Sequence, residues 1–219
     1  MKETLLATFA AALALAGCTT VAPTEYRAER PVLDLREYFN GTVDGWGMVQ
    51  NRSGKVLRRF HVVIESRWQG DVGTLDETFD WSDGKREKRV WTITRHDANR
   101  YSGTAADVVG TASGEAHGNA LQWRYVLRLP EEQGGWHVDL DDWMYLVDEA
   151  TMLNRSVIKK FGIRFGDISI AFRKTGSDGG GLPPRLTSEI IKPVLPNGRD
   201  RKSTRLNSSH SSVSRMPSS

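Results

Sequence analysis

The chain has 219 residues, with 30 Lys and Arg against 27 Asp and Glu and a calculated pI of about 9.1. The basic surplus is local: residues 18–178 hold 22 basic and 24 acidic side chains, whereas residues 179–219 hold 7 and 2. The body of the chain therefore carries no basic signature for nucleic acid, and its single cysteine, Cys18, leaves no disulfide to staple a small core.

The first segment is a leader. Lys2 precedes a short apolar run, Leu5 to Leu15, that ends in Leu15-Ala16-Gly17-Cys18. This is the layout of a secretory signal, residues 1–17, closing in a lipoprotein cleavage site, after which Cys18 takes acyl chains. The run is too short to span about 30 Å of hydrocarbon, so it reads as a signal core rather than a transmembrane helix. Two or more acyl chains anchor stably, where one is marginal. Thr19 in place of aspartate after the cysteine matches sorting to the outer membrane, with the protein facing the periplasm. Residues 18–31, polar and punctuated by proline, read as a tether.

Residues 32–175 alternate with a period of two. Leu33 to Phe39 is the one stretch with helical character, a short helix before the first strand. Phe60, Val62, Ile64 and Trp68 then share a face, as do Leu75, Phe79 and Trp81. The rhythm continues through Trp91 and Ile93, Leu121 to Leu129, Trp136 to Leu146, and Ile168, Ile170 and Phe172. Turn signals such as Asn51–Gly54, Ser82–Gly84 and Gly118-Asn119 part these runs at intervals of roughly 8–14 residues. The pattern predicts an all-β fold: an antiparallel meander of about eight to ten strands closed into a lipocalin-like up-and-down barrel, since closure removes exposed edges. An open sandwich is the alternative. Gly103 to Gly118 carries four glycines, suited to a flexible mouth or a strongly bent barrel corner. Residues 176–219 read as a disordered tail, and 201–219 resemble a translated sequencing-adapter; His210, within it, is given no role.

Several short motifs point in one direction. They are Phe39 to Met48 (FNGTVDGWGM), Leu75 to Phe79 (LDETF), Tyr101 to Gly110 (YSGTAADVVG), Asp141 to Tyr145 (DDWMY) and Lys160 to Gly162 (KFG). Together they resemble a family of bacterial lipoproteins catalogued as a domain of unknown function. The resemblance implies a lipid-anchored, calycin-like β domain and supplies no catalytic residue. Gly45-Trp46-Gly47 is also similar to the glycine–tryptophan signature of calycins, which implies a Trp46 ring plugging the base of the barrel.

Charges on otherwise apolar faces mark the candidate site. Glu77 lies between Leu75 and Phe79, Arg89 shares the phase of Trp91, and Asp142 lies between Leu140 and Met144. A three-residue loop at Ser82-Asp83-Gly84, with glycine in the left-handed position, sets Glu77 opposite Arg89 and Leu75 opposite Trp91. One reading is a structural ion pair that ties strands together and fixes register. The other makes Glu77, Arg89 and Asp142 the polar anchor of a ligand cavity, lined by Trp46, Met48, Trp91, Trp123 and Tyr125. Asp141 and Asp142 point to opposite faces of a strand and so cannot share a proton or an ion. His61, His96, His117 and His137 have no ligand spacing, and neither a metal nor any other cofactor is expected. No nucleophile elbow or phosphate loop is present, and no pattern specifies an oligomeric state.

Three functions fit. The first is a binding module holding a small apolar or amphiphilic ligand, such as a lipid. The second is a structural or interaction lipoprotein with a solid interior. The third is a barrel enzyme using interior carboxylates, which needs one of raised pKa facing a cavity.

Overall fold

The computed structural model describes residues 20–175; the expected signal segment, Cys18 and the expected C-terminal tail lie outside them. Ten strands follow one another: β1 (Gly41–Asn51), β2 (Val56–Gln69), β3 (Val72–Trp81), β4 (Arg86–Arg95), β5 (Arg100–Thr104), β6 (Val108–His117), β7 (Ala120–Arg128), β8 (His137–Leu146), β9 (Thr151–Lys160) and β10 (Ile163–Thr175). Each pairs antiparallel with its neighbours in sequence, and β1 pairs with β10 to close the ring. The expected up-and-down barrel is therefore what forms, and the open sandwich is excluded by the β1–β10 ladder.

The period-two faces become the inside and outside of the wall. Val43, Val62, Ile64, Leu75, Trp91, Ile93, Leu121, Trp123, Leu140, Met152 and Phe172 are all buried inside. One end is stoppered by the short helix Leu35–Tyr38, within the stretch expected to be helical. Asp34 caps it, its carboxylate accepting from the Arg36 amide at 2.8 Å. Leu33, Leu35, Tyr38 and Phe39 are buried in the stopper. The Trp68 indole donates to the Phe39 carbonyl at 2.7 Å, and the Tyr38 hydroxyl donates to that of Ala150 at 3.0 Å, so wall and stopper are stitched together.

The segment expected to be a free tether is partly structural. Pro23–Tyr26 forms a 3₁₀ turn against β6 and β7, with Pro23 buried. Tyr26 packs on Trp143 and Tyr145, at ring centroid distances of 5.9 and 5.5 Å. These two aromatics face outward and would otherwise meet water; covering them outweighs the entropy of a loose linker.

Trp46 corrects the expected phase of β1. Its ring is 53% exposed, outside the barrel, lying on His61 at 5.3 Å. The inward phase is instead Val43, Gly45 and Gly47. A Cβ on Gly45 would lie 2.7 Å from the Phe172 ring, and one on Gly47 would collide with Phe60. The strand thus gives up its own side chains so that rings from β2 and β10 can fill the space. Trp46 plugs nothing, and neither it nor Met48 lines the interior.

Candidate functional site

Above the stopper the barrel is hollow. A cavity of about 1370 Å³ runs from Leu35 and Phe39 at its floor to an open mouth at the other end. Most of its wall is apolar, including Phe60, Phe79, Trp91, Trp123, Leu127, Ile158, Ile168 and Ile170. That volume exceeds the usual range of about 300–1,000 Å³ for small-molecule pockets, and leaves room for a long chain.

The glycine-rich region explains how two tryptophans fit on one wall. A Cβ on Gly103 of β5 would lie 2.7 Å from the Trp123 ring, and Gly114 of β6 has the same ring against it. Trp91 meets Trp123 and Tyr125 edge-on, with centroids 5.7 and 5.4 Å apart. Near the mouth the ladder between β6 and β7 slips, and Gly110 takes a positive φ of 72°. The stretch is irregular near the mouth, and deeper down it has a purpose not read from sequence, a thin wall behind a large ring.

Of the residues read from sequence, the structure brings Glu77, Arg89, Trp91, Trp123, Tyr125 and Asp142 to this cavity, and leaves out Trp46 and Met48. Glu77 pairs with Arg89 and Leu75 with Trp91 across β3 and β4, as the Ser82–Gly84 turn requires; Gly84 sits at φ 82°. The partnership differs in strength from the expectation, however. Arg89 Nη1 is 3.8 Å from Glu77 Oε2, a loose contact, while its Nη2 and Nε donate to Asp107 Oδ2 at 2.7 and 2.9 Å. Asp107 comes from the loop between β5 and β6, outside every alternating run. Only its place in the glycine-rich stretch could have drawn attention to it.

Opposite this pair stand Tyr125 and Asp142, with Ser156 and Asn154 beside them on β9. Asp142 is 6% exposed, and its Oδ1 has no donor among the described residues. The Oε2 of Glu77 likewise receives no hydrogen bond. Burial pushes Asp142 up to about 7, although the Ser156 hydroxyl, Arg89 and the Tyr125 hydroxyl pull it down. Burial also pushes Glu77 up to about 7 against the attraction of Arg89. The Tyr125 phenol is driven well above its ordinary range, first by burial and then by the Asp142 charge. Asp141 points out of the barrel, where it accepts from Gln122 at 2.6 Å, so the two neighbouring carboxylates do not cooperate.

The mouth has its own character. Leu57, Trp136, Phe161, Ile163 and Phe165 line it, and each is more than half exposed; Phe161 reaches 87%. Lys160 Nζ stands 2.8 Å over the Trp136 ring. None of these was read as a site from sequence, because exposure at a barrel rim depends on where the wall ends.

Elsewhere the histidines take separate partners: His61 with Asp44, His96 with Ser102, His117 with Glu115. Among the described residues no group of three His, Cys, Asp or Glu side chains could hold a metal, and no helix is long and apolar enough to cross a membrane.

A closed ten-strand meander around a hollow, mostly apolar interior defines the class: a lipocalin-like barrel. The chain belongs to the family described as "Protein of unknown function (DUF3833)", which matches residues 12–174. No curated protein matches it. Among solved structures it is similar to the S-type phycobiliprotein lyase CPES from Guillardia theta, with a TM-score of 0.46, 6% identity, and coverage of 65% of this chain and 93% of that one. A complex of EF1p2_mFAP2b with DFHBI gives a TM-score of 0.36 at 8% identity, covering 69% and 98% of the two chains. A redesigned β-barrel, b11L5F_LGL, gives 0.35 at 8%, covering 66% and 98%. Likeness this remote decides no ligand; the fold rests on the strand ladder itself.

Proposed function

We propose that this protein is an acylated envelope lipoprotein whose barrel holds a small apolar or amphiphilic ligand. The observation that carries the binding role is the cavity of about 1370 Å³, apolar over most of its wall and polar at a few placed groups. A hollow interior counts against a solid barrel acting through its outer surface alone. The anchor and the outer-membrane, periplasm-facing address rest on the leader, Cys18 and Thr19.

A second reading, proton transfer by interior carboxyls, is favoured by Glu77 and Asp142, both raised to about 7 beside the cavity. Native mass spectrometry of the detergent-extracted protein tests both. We expect a Cys18 N-terminus with added acyl mass and a non-covalent small molecule released intact. Loss of the acyl mass in Cys18→Ser would support the anchor. A protein that carries nothing and takes up no apolar probe would overturn the container. Conversion of the bound molecule that stops in Asp142→Asn would favour the enzyme.

A further inference from the structure

The polar groups at mid-depth are unequally supplied with donors and acceptors. Arg89 stands two residue pairs above the Leu75–Trp91 pair, on the same inward face and below the rim, whereas Arg58, Arg128 and Lys160 belong to the mouth. Its guanidinium is already taken by Asp107, with Glu77 alongside. Two acid oxygens, Glu77 Oε2 and Asp142 Oδ1, are buried and receive no hydrogen bond from the described residues. An anionic head placed here would find its one nearby cation neutralised and two further acids facing it. A head that donates would satisfy both oxygens, and a buried acceptor gains most from a donor where water is excluded.

We infer that the ligand is an amphiphile whose head donates hydrogen bonds, an amine in preference to a hydroxyl, and that a carboxylate or phosphate head is excluded from this depth. Glu77 and Asp142 receive the head, Tyr125 and Ser156 border it, and the chain runs along Phe60, Phe79 and Ile170. This rests on the reading of the barrel as a container.

The test compares a long-chain amine, alcohol and fatty acid of matched length, each below its micelle concentration, displacing an apolar fluorescent dye from the detergent-extracted protein. The amine should bind about tenfold or more tighter than the acid, the alcohol falling between. Glu77→Gln with Asp142→Asn should shrink that gap while the dye binds as before. An acid that matches the amine on the unsubstituted protein, or a gap that survives the double substitution, overturns the head-group assignment and leaves the container intact. Failure of the dye and all three ligands to bind overturns the container itself. The comparison on the unsubstituted protein decides the order of affinities even if the double variant does not fold.

The open end supports an independent inference. Five apolar side chains more than half exposed form one rim, a concentration that isolated surface hydrophobics do not reach. Phe161 stands at a hairpin tip with φ 52°, a conformation that favours Asn or Gly, so an aromatic is held there against local preference. Arg52, Lys55, Lys85, Arg128 and Lys160 surround this end without ion pairs among the described residues, against Glu87, Glu131 and Glu132. The geometry points to an anionic lipid surface as the partner of the mouth, the aromatics entering the interface and the basic groups meeting head groups.

An environment-sensitive dye on Phe161→Cys, and separately on Leu57→Cys, reads this on the full acylated chain, in which Cys18 is blocked. Both labels should shift to the blue on vesicles containing phosphatidylglycerol, and less on phosphatidylcholine alone. Equal shifts on the two compositions, labels that stay in water on both, or a shift in vesicle-free solution that grows with protein concentration and so reports a second copy, would each overturn it.

Discussion

Asp142 and Glu77 show what a buried carboxyl does to a fold whose interior is otherwise apolar. Both are raised from the ordinary range to about 7, by burial above all; Arg89, Asp107, Tyr125 and Ser156 stand near them inside, while the charges of Asp76 and Asp141 act through the wall. A raised carboxyl binds its proton more tightly folded than unfolded. The stability tied to that proton is therefore complete below about pH 4 and is lost as pH rises through about 7. Chemical denaturation should find the protein more stable at pH 5 than at pH 8, by an amount on the order of 2 kcal/mol. Asp142→Asn should flatten that slope. A profile flat from pH 5 to 8 in the parent protein would place these carboxyls in water.

At the scale of the strand, the inward glycines are structural choices with a cost if reversed. Gly114 of β6 leaves the space that the Trp123 ring occupies, in the same way that Gly47 leaves space for Phe60. Gly114→Val should expel or tilt the ring and destabilise the barrel by about 1–3 kcal/mol, the typical penalty for overpacking, while Trp123 fluorescence shifts to the red. Gly54→Ala, in an exposed turn with nothing near its Cβ position, is the contrasting control, limited to the cost of its positive φ. Elements also differ in how plainly the sequence announces them. The hairpin of β3 and β4 is set by three loop residues, so the Glu77–Arg89 register follows from a local rule. Asp107 obeys no such rule. It reaches Arg89 because β5 ends at Thr104, opposite Thr92, and the next three residues carry the chain on to the level of Arg89, a fact of strand pairing that no periodicity carries.

For the whole molecule, closure decides what local pattern leaves open. Every run of alternating residues has two faces, and the apolar one normally turns inward. That sufficed for β2, β4, β7 and β8, where Val62, Trp91, Trp123 and Leu140 are all buried in one interior. It failed for β1, where the aromatic phase was Trp46 and the inward phase was Val43, Gly45 and Gly47. The ladder with β10, formed across more than a hundred residues, turned the bare phase inward because Phe60 and Phe172 already filled that space.

From its order of residues alone this chain determined an all-β meander, its turns, the register of its central hairpin and six of the eight side chains assigned to the pocket, since each depends on alternation or turn length within a few residues. Only the tertiary structure decided that the interior is hollow, that Asp107 rather than Glu77 is the close partner of Arg89, that Asn154 and Ser156 join the polar wall, and that the rim is apolar. Those properties depend on how far apart opposite walls stand once the ring is closed. Distance across a barrel is set by strand number and tilt, and is written in no single segment of the sequence.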